Sequence, residues 1–160
     1  DPMAPRGNHV LSAGRLSKSK RHDLVIRAAA LSGRQLRIAG DGPERENLES
    51  LARSLGASVV FLGGLSRERM REEFRNAAYL VHTSETGSLD KVVLEALSSD
   101  TAVITTSDVF KDVPVHAVQA TPEAIVKALG APRETDDRVG SIRERHSLRK
   151  LVTTILSQYA

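Results

Sequence analysis

The stretch "AYLVHTSETGSLDKVVLEALSSDTAVITT", residues 78–106, carries the reading of the fold. "AYLVHTS" is a short β-type run, "LDKVVLEALSS" has the apolar spacing of a helix, and "TAVITT" returns to β-branched residues. A small, polar, Gly-containing loop joins the first strand to the helix, in the order of a β-α-β unit. The alternation continues outward in both directions. Upstream, "HVLSAG" predicts a strand, "DLVIRAAALSG" a helix stopped at Gly33, and "RQLRIAG" a second strand. "DGP" turns the chain into the helix "ERENLESLARSLG", with Pro43 in its first turn. "ASVVFLG" is a third strand, and "SRERMREEFRNA" a helix with Met70 and Phe74 on one face. Downstream, "VPVHAVQ" reads as a sixth strand and "TPEAIVKALG" as a helix capped by Thr121 with Pro122 at its first position. A final helix is expected over about residues 142–158, with Leu148, Leu151, Val152, Ile155 and Leu156 on one stripe.

Six strands alternating with helices, several of them unbroken Val/Ile/Leu runs, predict an α/β fold: a doubly wound, Rossmann-like parallel sheet of about six strands, covered on both faces. One such domain suits 160 residues. The first nine residues, beginning "DPMAPRGN", read as a tag remnant or linker, and the domain as residues 10–160. Aromatic residues make up only 3% of the chain, with no Trp, so the core is expected to be aliphatic. A nucleic-acid surface built on base stacking has little to use. The net charge of +3 is spread through acid-rich helical segments such as "RERMREEFR", the pattern of a solvated face; nucleic acid is not an expected partner. Cysteine is absent, which removes disulfides and thiolate ligands. No apolar run has the ~18 residues of a membrane span.

Ligands of such sheets lie beyond the carboxyl ends of the strands. "GRLSKSKRHD", "GDGPE" and "SETGSLDK" are the polar loops at those ends. After Gly14, Arg15, Lys18 and Lys20 form a basic loop, suited either to a phosphate or simply to water. There is no Walker-type loop and no G-x-G-x-x-G. The helix in "TGSLDKVVLEAL" is expected to start at Ser88 or Leu89, where free N–H groups and the helix dipole favour an anion and Gly87 lets a ligand approach. Equally, Ser88 could cap this helix and Asp90 complement its dipole. Glu95, flanked by apolar residues, is either surface decoration or an acid with a polar partner. The five His, at positions 9, 22, 82, 116 and 146, show no metal-ligand spacing, so no metal site is expected. His82 ends a strand near the loop, as a ligand contact or a structural group.

"LSAGRLSKSKRHDLVIRAAA", "LRIAGDGPERENLESLARSLG", "VVFLGGLSRERMREEFRNAAYLVHTS" and "GSLDKVVLEALSSDTAVITT", in this order, resemble the carboxyl-terminal half of the group 1 (family four) glycosyltransferases of the GT-B fold. The resemblance is close over about residues 10 to 107 and looser over the last helix. It implies a donor-binding domain for a nucleotide sugar of the UDP or GDP type, with no further cofactor. Arg15 and Lys20 match the basic pair on the donor diphosphate and are the catalytic candidates. Glu95 matches the acid that holds the ribose hydroxyls, and Leu65 the position whose backbone meets the base. Gly87, Ser88 and Leu89 match the segment whose amides face phosphates and sugar, beside Gly14; Asp90 and Lys91 are further candidate contacts.

The sequence departs from the family at Gly87, where the family has its first acid, and at "SLD", where it has a Gly-aromatic-Gly turn. Glu85 and Asp90 are the acids near enough to substitute. Asp100 stands where the family has a Gly at the helix end. The resemblance further implies an amino-terminal acceptor domain not contained in these residues, so that this chain alone is expected to be an inactive fragment. In the whole enzyme, retention of anomeric configuration, a cytoplasmic location and association with the inner membrane surface are expected, with self-association of this piece through its last helix. The rival expectation is a non-catalytic nucleotide-binding or interaction domain that keeps the fold.

Overall fold

The computed structural model describes residues 7–110, 113–131, 150 and 152–158. Strands β1 (Val10–Ala13), β2 (Leu36–Ala39), β3 (Val59–Gly63), β4 (Tyr79–His82), β5 (Ala102–Thr105) and β6 (His116–Ala117) form one sheet. Helices α1 (His22–Ser32), α2 (Arg45–Leu55), α3 (Arg67–Asn76), α4 (Lys91–Ser98) and α5 (Pro122–Gly130) alternate with them. The strand pairs are all parallel, in the order β3-β2-β1-β4-β5-β6. This is the doubly wound Rossmann-like arrangement expected.

Strand alternation sorts the core onto two faces. Val10, Leu36, Ile38, Val81 and Ile104 pack with α1, α2 and α5, whereas Leu11, Ala39, Leu80 and Val103 pack with Phe74 of α3 and Val93 and Leu97 of α4. Fully burying one such side chain contributes about 1.5–3 kcal/mol. α5 begins as its sequence predicts: Thr121 Oγ1 accepts from the Ala124 amide, and Pro122 occupies the first helical position. Of residues 1–9, residues 7–9 are described, and His9 is packed into the domain, its carbonyl accepting from the Ala78 amide. The backbone is helical at 150 and 152–158, with Val152 buried and Ile155 and Leu156 half-buried. The remainder of the expected last helix, including Leu148 and Leu151, lies outside the described residues.

Pro43 is not in the first turn of α2. That helix starts at Arg45 after Glu44, because the preceding turn is docked on the β1 loop. The Leu16 amide donates to the Asp41 carbonyl (3.0 Å) and the Glu44 amide to the Leu16 carbonyl (2.9 Å). The contact is so close that a Cβ on Gly40 would collide with the Gly14 carbonyl oxygen, and one on Gly42 with the Leu16 carbonyl. Gly40 also has φ +136°, which side-chain-bearing residues avoid. "GDGP" is thus a backbone strut under the β1 loop. Gly40→Ala is expected to destabilise the domain by about 3 kcal/mol in urea denaturation. Gly130→Ala, at a helix end with open space beside it, is expected to raise stability by about 0.5 kcal/mol.

Candidate functional site

The sheet order sets β1 beside β4, so the loops leaving their carboxyl ends meet at the switch in strand order. They are laced together. Thr83 Oγ1 lies 2.8 Å from the Lys20 carbonyl oxygen and 2.9 Å from that of Arg21, and the Glu85 amide donates to the Ser19 carbonyl (2.9 Å). Lys20 Nζ donates to Asp90 Oδ2 (2.7 Å) and Ser84 Oγ (3.3 Å). Arg21, in the left-handed region at φ 49°, donates to Asp23 (3.0 Å) and Glu85 (2.5 Å). Those two carboxylates push its pKa up further.

Asp90 Oδ2 also accepts from Nε2 of His82 (2.8 Å), and the tautomer follows from the hydrogen-bond pattern. Ionised Asp90 can only accept, so the proton of the neutral ring sits on Nε2 and Nδ1 accepts from Thr105 Oγ1 (2.9 Å), whose oxygen in turn accepts from the Ser107 amide (3.1 Å). Burial, aided by the Lys20 charge, pushes the His82 pKa down against the pull of Asp90, so the ring is neutral at pH 7. For Asp90, burial works upward, but the hydrogen bonds from His82 and Lys20 and the Lys20 charge outweigh it and hold the carboxyl at about 2.

A second buried histidine shapes the β1 loop. His22 Nε2 donates to the Arg15 carbonyl (3.3 Å) and Nδ1 accepts from Ser12 (2.9 Å). Burial lowers its pKa to about 4, which keeps it neutral in this role.

The sequence candidates distribute as follows. Gly14 ends β1, and the exposed Arg15 guanidinium has no ion pair among the described residues. Lys20, Ser88 and Asp90 belong to one hydrogen-bonded cluster, and Lys91 is exposed beside it at the start of α4. Gly87, at φ 65°, leaves open space where a side chain would stand. Leu89 turns its side chain into the core on the α4 side. Leu65 lies on the far side of β2, after β3; the neighbouring Gly64 amide donates to Asp41 Oδ2 (2.8 Å) of the "GDGP" loop. Glu95 is half-buried one turn into α4, on the face of Lys91, and its carboxylate has no partner among the described residues.

α4 starts at Lys91, later than the expected Ser88 or Leu89. Asp90 occupies the cap position but makes no side-chain cap bond, and Ser88 is not a cap. Its hydroxyl instead joins a chain from Ser84 through Thr86 to Asp90. Leu89 in the core and Asp90 held by Lys20 and His82 keep this segment extended. His82, expected near the loop as a ligand contact or a structural group, is held as a structural group. Thr105, Ser84, His22 and the glycines of "GDGP" are further positioning groups that the sequence motifs did not mark, buried His and Thr at strand ends being the available signal. Among the described residues no group of three or more His, Asp or Glu is placed to hold a metal, and no helix is long and apolar enough to cross a membrane.

Residues 3–128 match the profile of the family described as Glycosyl transferases group 1. The chain belongs to the group 1 glycosyltransferases. It is 32% identical over 124 residues to an alpha-1,4-N-acetyl-D-galactosaminyltransferase of Campylobacter jejuni, an alignment covering 70% of this chain and 34% of that protein. The curated relatives it matches are much longer, and the chain spans 18% to 34% of their length. Among solved structures, the C-terminal domain of a glycosyl transferase group 1 family protein from Francisella tularensis superposes with a TM-score of 0.67 at 20% identity, covering 93% of this chain and 86% of that one. A pneumococcal O-GlcNAc transferase solved with UDP and GlcNAc gives 0.72 at 15% identity, covering 96% and 35%. At these identities the superpositions show a shared fold.

Within this glycosyltransferase fold, neither acid close to Gly87 is free. Glu85 is paired with Arg21, and Asp90 with Lys20 and His82. Asp100 adopts a left-handed φ of 57° after α4. The ionisable network makes the domain acid-sensitive in two stages. His22 binds its proton near pH 6.5 when unfolded but only near 4 when folded, so stability falls as pH drops through that range. Asp90, held near 2, adds stability above pH 3.8 that is lost between 3.8 and 2. His82, whose pKa burial also lowers, acts in the same direction as His22. Asp90→Asn is expected to flatten the lower stage and, because the pull of Asp90 on His82 is lost, to keep or steepen the upper one, as read by denaturant unfolding at a series of pH values.

Proposed function

We propose that this chain is the donor-binding domain of a glycosyltransferase that transfers a sugar from a nucleoside-diphosphate sugar to an acceptor hydroxyl, with retention of configuration. The observation that carries the reading is the meeting of the β1 and β4 loops, with Arg15 exposed, Lys20 at the mouth and the start of α4 between them. Diphosphate is the ligand chemistry that suits fixed cations beside unpartnered helix-terminal amides. Arg15 and Lys20 take the charge that grows on the leaving diphosphate, at about 3 kcal/mol for each well-placed donor. Glu95, half-buried one turn deeper and unpaired among the described residues, suits ribose hydroxyls, and the backbone at Leu65 meets the base. No cofactor beyond the nucleotide sugar enters this proposal. Two family and fold relatives support the donor class: a Mycobacterium tuberculosis mannosyltransferase is described as GDP-mannose-dependent, and the pneumococcal transferase holds UDP. The acceptor is assigned to a second domain facing this one, so transfer by the 160 residues alone is expected to be slow or absent.

One observation favours a second reading, a nucleotide-binding module without transfer: Gly87 stands in place of an acid, and Glu85 and Asp90 are already paired. Calorimetric titration with UDP, GDP, ADP and their sugars separates the two. The donor-domain reading expects at least one sugar nucleotide to bind more tightly than its bare nucleotide. It expects Arg15→Ala and Lys20→Ala each to weaken binding roughly 10- to 100-fold, the loss of one charged hydrogen bond. Indifference of affinity to every sugar favours the module, and unchanged affinity in both variants contradicts the phosphate site altogether.

A further inference from the structure

The Lys20 ammonium does not wait free at the mouth of the site. Asp90 Oδ2 accepts from it at 2.7 Å and from His82 Nε2 at 2.8 Å, while Asp90 Oδ1 accepts from Ser88 Oγ at 3.2 Å. Behind Asp90, His82 is fixed on both ring nitrogens and by its ring packing. Thr105 holds Nδ1, and Phe110 meets the ring edge-on with centroids 5.3 Å apart at 85°. The line of contacts therefore runs from buried β5 through His82 and Asp90 to Lys20. A lysine has a flexible four-carbon stem and loses much rotamer freedom when its ammonium is held for a ligand. Asp90 and Ser84 together take two of the three ammonium protons and leave one to donate outward. The Asp90 side chain is only 17% exposed, and Lys20 lies against it, so its charge does not confront an incoming anion unscreened.

We propose that Asp90, seated by His82, is a positioning residue that holds the Lys20 ammonium ready for the donor diphosphate. The inference rests on the reading of Lys20 as a phosphate contact. It also gives Asp90 a task other than replacing the acid missing at position 87.

The test is a double-mutant cycle with UDP, GDP and inorganic pyrophosphate as probes, titrated calorimetrically into the whole 160-residue chain. Asp90→Ser keeps a favourable group at the start of α4 but cannot reach Lys20. Asp90→Asn keeps an oxygen toward Lys20 and His82 and turns its amide to Ser88. Thermal melts of each variant report folding. Positioning predicts that Asp90→Ser weakens the tightest probe about tenfold and that Asp90→Asn stays within about threefold of wild type. In a Lys20→Ala background, Asp90→Ser is then expected to change affinity less than twofold. Binding by Asp90→Ser as tight as wild type or tighter overturns the inference, since Asp90 is then only a competing charge. A loss that persists in full without Lys20 overturns it too, because Asp90 then acts by another route. Lys20→Ala binding like wild type, or no probe binding wild type, overturns the phosphate reading beneath it.

Discussion

Strand β1 lies beside β4, although two β-α units separate them in sequence, and this adjacency is what makes a site possible. Without it, Lys20 and Asp90 would be distant residues on unrelated loops. With it, the loops share hydrogen bonds between backbone, hydroxyls and charges, and the start of α4 is held against the basic turn after β1. The adjacency is enforced by packing. Val10 and Leu11 send side chains to opposite faces, and each meets a different helix layer. A shift of register by one residue would reverse both.

The electrostatics of the site follow from that placement. Several acids and bases at the loop mouth are paired: Glu85 and Asp23 with Arg21, and Asp90 with Lys20. Arg15 is left exposed, and Glu95 is left half-buried without a partner among the described residues. Under the proposed reading, this exposed cation at the rim and this acid further in, neither paired among the described residues, suit a ligand with phosphates at one end and hydroxyls at another. Two neutral histidines stiffen the arrangement without adding charge, His22 under the Arg15 backbone and His82 behind Asp90. Burial keeps both deprotonated near neutral pH, so their hydrogen bonds have fixed direction.

Much of the fold was legible in the sequence because each element carries its own period and stop signal. Gly33 ends α1 and Thr121 starts α5, as local chemistry requires. The strand order was not legible, since nothing local in "VLSA" or "YLVH" states that these runs pair. The start of α4 was misread for a physical reason: Ser88 is a good cap by type, but tertiary contacts of Leu89 and Asp90 outweighed that preference. Pro43 was misplaced likewise, because docking of the "GDGP" turn on Leu16 delays α2. The site's residue types were visible as a basic loop, a Gly-containing loop and an acid in "LEA". Its internal wiring was not, because Lys20 and Asp90 are 70 positions apart and the link through His82 and Thr105 crosses two strands.

The most direct measurement is a crystal structure of this chain with a nucleoside diphosphate. The account predicts the diphosphate between Arg15, Lys20 and the first amides of α4, with the ribose turned toward Glu95. A nucleotide bound at the opposite ends of the strands, or one that leaves Arg15 and Lys20 untouched, would contradict it.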